Sequence, residues 1–325
     1  MRTKLNLRPA YLAGALAIAI PTSALALTQG ESLAQSAPQL TVSSHRINYG
    51  EEVTVSGATS TTDSGKGAVL VYQQSGTPWR PIAYTSVQSD GSFRFVTRLQ
   101  RSGQLNVLTT GGSTTVTAVA TTGAVQSAAV SGVNGTPLAG ITPQSVSVDA
   151  KLVVPTAPVN VLSGQAADLR GRLLPGLAGR TVQLDGRSGG SWHKLRTART
   201  TASGRFDLRY VAGRLGAQRL RVRFVGDGTN GPASARSVLL TVYHPSGASW
   251  YDDGGGTACG FHATMGVASK ALPCGTHVTF VYGGHRVTAV VDDRGPFVDG
   301  RDWDLNQNTA AALGFGGVDT VWSSV

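Results

Sequence analysis

Short runs of alternating apolar and polar residues recur along most of the chain, and no helical period competes with them. VTVSG from Val53, FRFV from Phe93, FDLRY from Phe206 and LRVRFVG from Leu220 all read as strands with one wet face and one buried face. Turn pairs such as Asp90-Gly91 and Ser203-Gly204 separate them. Two stretches repeat one unit: GEEVTVSG with TPWRPIAYTSVQSDGSFRF, then GQAADLRG with GSWHKLRTARTTASGRFDLRY. Trp79 and Trp192 lie 113 positions apart, as do Gly91 and Gly204. The pattern predicts two immunoglobulin-like β-sandwiches, at 38–132 and 148–244. A linker is expected at 133–147, a stretch rich in small residues with Gly135 and Pro137 as breakers. Falling at equivalent places in the two copies, Trp79 and Trp192 read as packing residues rather than sugar platforms.

From Gly247 the text changes. His277–Phe280 and Arg286–Val291 flank Gly283-Gly284 as a hairpin, Asn306 can cap a helix over 307–313 that Gly314 ends, and Thr320–Trp322 gives a closing strand. A small β-barrel over 247–325 follows. Asp293 ends one strand and Asp304 precedes the helix cap, so both carboxylates can meet at one mouth, the equipment for glycosidic chemistry. The competing readings are a turn residue paired with Arg294 and a helix-terminal charge. Trp250, Tyr251 and Trp303 are candidate sugar-stacking residues or core.

Arg2, Lys4 and Arg8, an apolar run from Ala10 to Ile20 and Ala24-Leu25-Ala26 predict a signal peptide over 1–26, with a linker at 27–37. The run is too short to span a bilayer and Pro21 interrupts it. A secreted protein, extracellular or cell-wall associated and without a membrane span, is therefore expected. Export suits a disulfide between Cys259 and Cys274, the only two cysteines; a metal pair is the rival, weak without CxxC or a histidine pair. No metal and no cofactor is expected. Residues 160–245 hold 14 basic and 4 acidic residues, whereas 246–325 hold 4 and 8. Outside the cell that basic segment is expected to meet anionic wall polymers or phospholipid headgroups rather than nucleic acid, and its alternating arginines equally fit an ordinary solvated strand face.

The runs ASWYDDGGGTACG, LPCGT, DRGPFVDGR, WDLN and AAALGF, in this order, resemble the rare lipoprotein A-like double-psi β-barrel, a fold shared with expansins. The resemblance implies a mainly β protein, two sandwiches followed by a six-stranded double-psi barrel, whose partner is the glycan strand of peptidoglycan. Lytic members carry a Glu and a His where this chain has Phe261 and Ser269. Thr257, Asp293 and Asp304 match the expansin set. The implied site has Asp304 and Asp293 as catalytic carboxylates and Thr257, Trp250, Tyr251, Arg294 and Trp303 as substrate-binding residues. His262, Asp252 and Asp253 lie near the vacated Glu, and His277 and His285 read as exposed strand residues. The expected function is binding and remodelling of peptidoglycan. The alternatives are a lytic transglycosylase using Asp304 or Asp293 as acid/base, and a structural or adhesive surface protein.

Overall fold

The computed structural model describes residues 39–110, 141–252 and 254–325, and the backbone of three two-residue strands, Thr117–Ala118, Ala128–Ala129 and Thr136–Pro137. The expected signal peptide and the linker at 27–37 lie outside the described residues, as does Asp253. No helix among the described residues is long and apolar enough to cross a membrane.

Each repeat folds as two facing sheets. In the first, Leu40–Val42, Glu52–Ala58 and Ser92–Arg98 pair antiparallel. Opposite them lie Arg46–Asn48, Gln144–Asp149, Gly103–Thr110, Gly67–Gln73 and Arg80–Ser86. The inward residues of both sheets, among them Val53, Val55, Phe93, Phe95, Leu70 and Leu105, form one core. The second repeat reuses the plan, with Ala166–Leu174 and Arg205–Val211 facing Thr181–Ser188 and Gly216–Phe224 around Leu169, Leu184, Phe206 and Leu220. The conserved spacing of Gly91 and Gly204 has a steric cause. Both have φ near +80°, and a Cβ would stand 2.4 Å from Thr59 O in one copy and 2.2 Å from Leu173 O in the other.

Two expectations change. Gln144–Asp149, whose first four residues fall in the expected linker at 133–147, is a strand of the first sandwich; it pairs with Gly103–Thr110 and, in parallel, with Arg46–Asn48. Its alternation buries Val146 and Val148. Trp79 is 37% exposed rather than packed, while Trp192 lies beneath the Arg221 guanidinium, 4.4 Å from its ring centroid.

The sandwiches are locked together by Asn230, itself 1% exposed. Its side-chain amide donates to Gln100 O and Val148 O and accepts from Arg180, whose guanidinium lies over Phe224 and pairs with Asp227. Both polar atoms of the buried Asn230 side chain therefore have partners, the nitrogen in the first copy and the oxygen in the second.

The barrel strands are β1 (Val238–Tyr251), β2 (Gly266–Ala268), β3 (His277–Tyr282), β4 (His285–Asp293), β5 (Trp303–Asn306) and β6 (Asp319–Ser323), with helix α1 (Gln307–Leu313) after β5. Their order is β1-β5-β2-β4-β3-β6, and β6 pairs again with β1, so the ring of pairings returns to its first strand. Val267, Phe280, Ala289, Val291, Trp303, Leu305 and Val321 fill the interior. Gly283-Gly284 forms the β3–β4 turn with φ of 54° and 84°. The Asn306 side chain accepts from Thr309 N, and Gly314 closes α1 in the left-handed conformation.

β1 is continuous across the expected boundary at 244–247: its first half pairs within the second sandwich and its second half within the barrel. Fully buried Tyr243 sits where the two meet. Its hydroxyl donates to Asn160 Oδ1 and accepts from Arg286 Nε, and its ring packs against Trp322. Tyr243→Phe leaves both partners short of one bond, and calorimetry should show a loss of about 1–3 kcal/mol.

Candidate functional site

Strand register builds the site. Ser249 on β1 pairs with Asp304 on β5, Asp304 with Ala268 on β2, and Ala268 with Asp293 on β4. Directly paired residues share a face, so Ser249, Asp304, Ala268 and Asp293 form one row across four strands, on the wall opposite the interior residues. At two strand spacings the carboxylate-bearing backbones stand about 10 Å apart. Ala268 between them adds only a methyl group.

Each carboxylate is anchored through one oxygen. Asp304 Oδ1 accepts from Ser249 Oγ at 2.7 Å. Asp293 Oδ1 accepts from Ala258 N and Arg294 N, both at 2.8 Å. Neither Oδ2 has a partner among the described residues. Both aspartates are half-buried.

The row exists because of a bulge. Val267 opposes Val291 and Ala268 opposes Asp293, so Asp292 is the extra residue. Its side chain turns inward to 0% exposure, and its Oδ2 accepts from Ala263 N at 2.8 Å. Gly266 makes room, since a Cβ there would stand 2.3 Å from that oxygen. Burial pushes the Asp292 carboxyl above the usual aspartate range against the pull of nearby N–H groups, and the charge of Asp293 pushes it further. With its folded pKa above the unfolded value, Asp292 contributes most stability at acid pH and loses it as pH rises through the folded pKa. Asp292→Asn keeps an acceptor for Ala263 N, and thermal melts from about pH 3 to about pH 7 should show the variant gaining on the wild type as pH rises.

The remaining expected site residues divide. Trp250, 44% exposed on β1, is available to a ligand, and Tyr251 beside it is half-buried. Trp303 is not: it is 5% exposed and meets Phe280 edge-on inside the barrel. The Arg294 guanidinium is held by the fold, donating to Ser269 O and Leu272 O and approaching Cys274 Sγ. The Thr257 hydroxyl donates to Phe261 O and closes the 257–261 turn. Ser269 is buried and caps its turn by accepting from Leu272 N. His262, Asp252, His277 and His285 are exposed. Cys259 and Cys274 form a disulfide, Cα–Cα 5.8 Å. Sequence reasoning passed over Phe261 and Phe297 as ligand contacts; they are 41% and 84% exposed. An aromatic residue in a turn otherwise made of Asp, Arg, Gly and Pro is the signal for Phe297.

Residues 246–321 match the lytic transglycolase family. The match covers the barrel and neither sandwich, and this likeness to a double-psi barrel family supports a cell-wall-related function in general. Among solved structures, the titin M10–obscurin-like 1 Ig complex is 20% identical, with TM-score 0.21, over 29% of this chain and 92% of that one. A chimeric titin Z1Z2-Z1Z2 tandem is 14% identical, with TM-score 0.23, over 64% of this chain and 97% of that one. No curated protein matches the chain significantly. Within the matched segment, Asp293 of DRGP ends strand β4.

Proposed function

We propose that the chain is a secreted cell-wall protein whose C-terminal barrel binds and remodels peptidoglycan glycan strands. The observation that carries this is the Asp304–Ala268–Asp293 row, in which one oxygen of each carboxylate is anchored and the other has no partner among the described residues. Sugar hydroxyls donate to such oxygens, and exposed Trp250, Phe261 and Phe297 offer apolar faces to sugar rings.

Binding without cleavage is favoured because Phe261 and Ser269 stand where the resemblance to lytic members calls for a Glu and a His. The match to lytic transglycolases favours a second reading, cleavage by Asp304 or Asp293 as the single acid/base, with the sugar's own hydroxyl as nucleophile. Incubation with insoluble peptidoglycan separates the two: bound protein with a product-free supernatant supports the first, and anhydro-muropeptides by mass spectrometry support the second. Absence of any pellet binding overturns both and leaves a structural surface protein.

A further inference from the structure

The second sandwich has a cleft of about 880 Å³, far from the carboxylate row in sequence, with Val153 and Phe206 in its apolar lining and Arg170, Arg172, Arg199 and Arg205 around it. Along the strands Ala166–Leu174 and Arg205–Val211, opposed residues on the outer face are chosen by charge. Asp168 faces Arg209, and Arg170 faces Asp207 with an ion pair at 3.0 Å. At the next position the rule breaks, because Arg172 faces Arg205. Like charges directly opposed across a ladder destabilise it.

The fold does not require this pair. In the first sandwich Gly57 faces Phe93, as Gly171 faces Phe206 here, and in both copies a Cβ on the glycine would stand 2.6 Å from the phenylalanine ring. One step further along, the first copy has Ala58 facing Ser92 where the second has Arg172 facing Arg205. The scaffold is shared and the arginines are not.

The one acidic residue of the lining, Asp207, is taken up by Arg170, and Arg172, Arg199 and Arg205 have no carboxylate partner among the described residues. Arg172 donates to Ser203 O and Arg199 to Gly179 O, carbonyls that fix the guanidinium groups without neutralising them. Arg205 has no side-chain partner among the described residues. Three cationic groups, two of them held in place, thus border an apolar cleft.

We propose that this cleft binds an anionic phosphodiester polymer with a polyol backbone. Guanidinium forks match phosphate oxygens in pairs, and the apolar lining accepts the carbon chain between phosphates. The site is independent of the barrel's reading; the exported, wall-facing setting gives only the polymer's source.

The test uses the full-length protein and purified poly(glycerol phosphate) in titration calorimetry at fixed salt, with polyglutamate of similar length as comparison. Arg172→Ala/Arg205→Ser, which installs the first copy's residues, is expected to weaken phosphodiester binding about tenfold or more. Pelleting with polymer-free peptidoglycan should not change. Arg214→Ser/Arg236→Ser removes the same charge elsewhere and should retain near-wild-type affinity. If the double variant fails to fold, Arg205→Lys decides, since it keeps the charge, loses the fork and should weaken binding several-fold. Undiminished affinity in the cleft variants, an equal loss in the Arg214/Arg236 control, or equal binding of polyglutamate would each overturn the proposal.

Discussion

Asp304→Asn is expected to weaken pelleting of the full-length protein with insoluble peptidoglycan by about ten- to a hundredfold, the effect of removing a charge-assisted hydrogen bond. The substitution is nearly isosteric, and its Oδ1 can still accept from Ser249 Oγ, so the melting temperature should stay close to wild type. Asp293→Asn should act in the same direction, because Ala258 N and Arg294 N retain their acceptor. Ser249→Ala offers a graded intermediate: the charge remains, its aim is lost, and binding should fall by less than in Asp304→Asn. A binding loss in both Asp variants with unchanged unfolding places the ligand between the two strands. Wild-type affinity in both would remove the row as the binding site.

Loss of the Cys259–Cys274 disulfide should have the largest effect on stability. Joining residues 15 apart restricts the unfolded chain by roughly 3 kcal/mol in the chain-entropy account. For a unit the size of Ala37–Val325 that corresponds to roughly 5 °C in melting temperature. The consequence reaches the site, because the same loop supplies Ala258 N to Asp293 Oδ1 and Cys259 N to Asp292 O. At the other end Cys274 lies against Arg294, which fixes the turn after Ser269. Cys259→Ser/Cys274→Ser, or reductant on the wild type, should lower the melting temperature and weaken peptidoglycan binding together. A melt that shifts while binding holds would show that Asp293 is positioned by β4 alone.

Local features were legible in the sequence because local chemistry sets them. Asn306 and Gly314 bracket α1, Gly283-Gly284 makes the hairpin turn, and the repeat spacing follows from glycines that admit no Cβ. Asp293 and Asp304 stood out by type and by position at element ends. What joins them did not, since Ser249, Ala268 and the bulged Asp292 come together through pairings between strands distant in sequence. Trp303 could have been placed correctly from the alternation of WDLN alone: with Asp304 on the outer wall, Trp303 and Leu305 must point inward. Gln144–Asp149 was hidden by its small, polar composition, although its two valines already carried the period of two.

The shared strand β1 also settles how the molecule takes mechanical load. Tension between the sandwich and the barrel has no slack segment to stretch; it passes along one extended backbone whose two halves are bonded laterally to different neighbours. Those lateral bonds are loaded together in shear rather than opened one after another. A wall strand held at the carboxylate row would therefore pull on the second sandwich directly, with Tyr243 as the pivot that resists twisting between them.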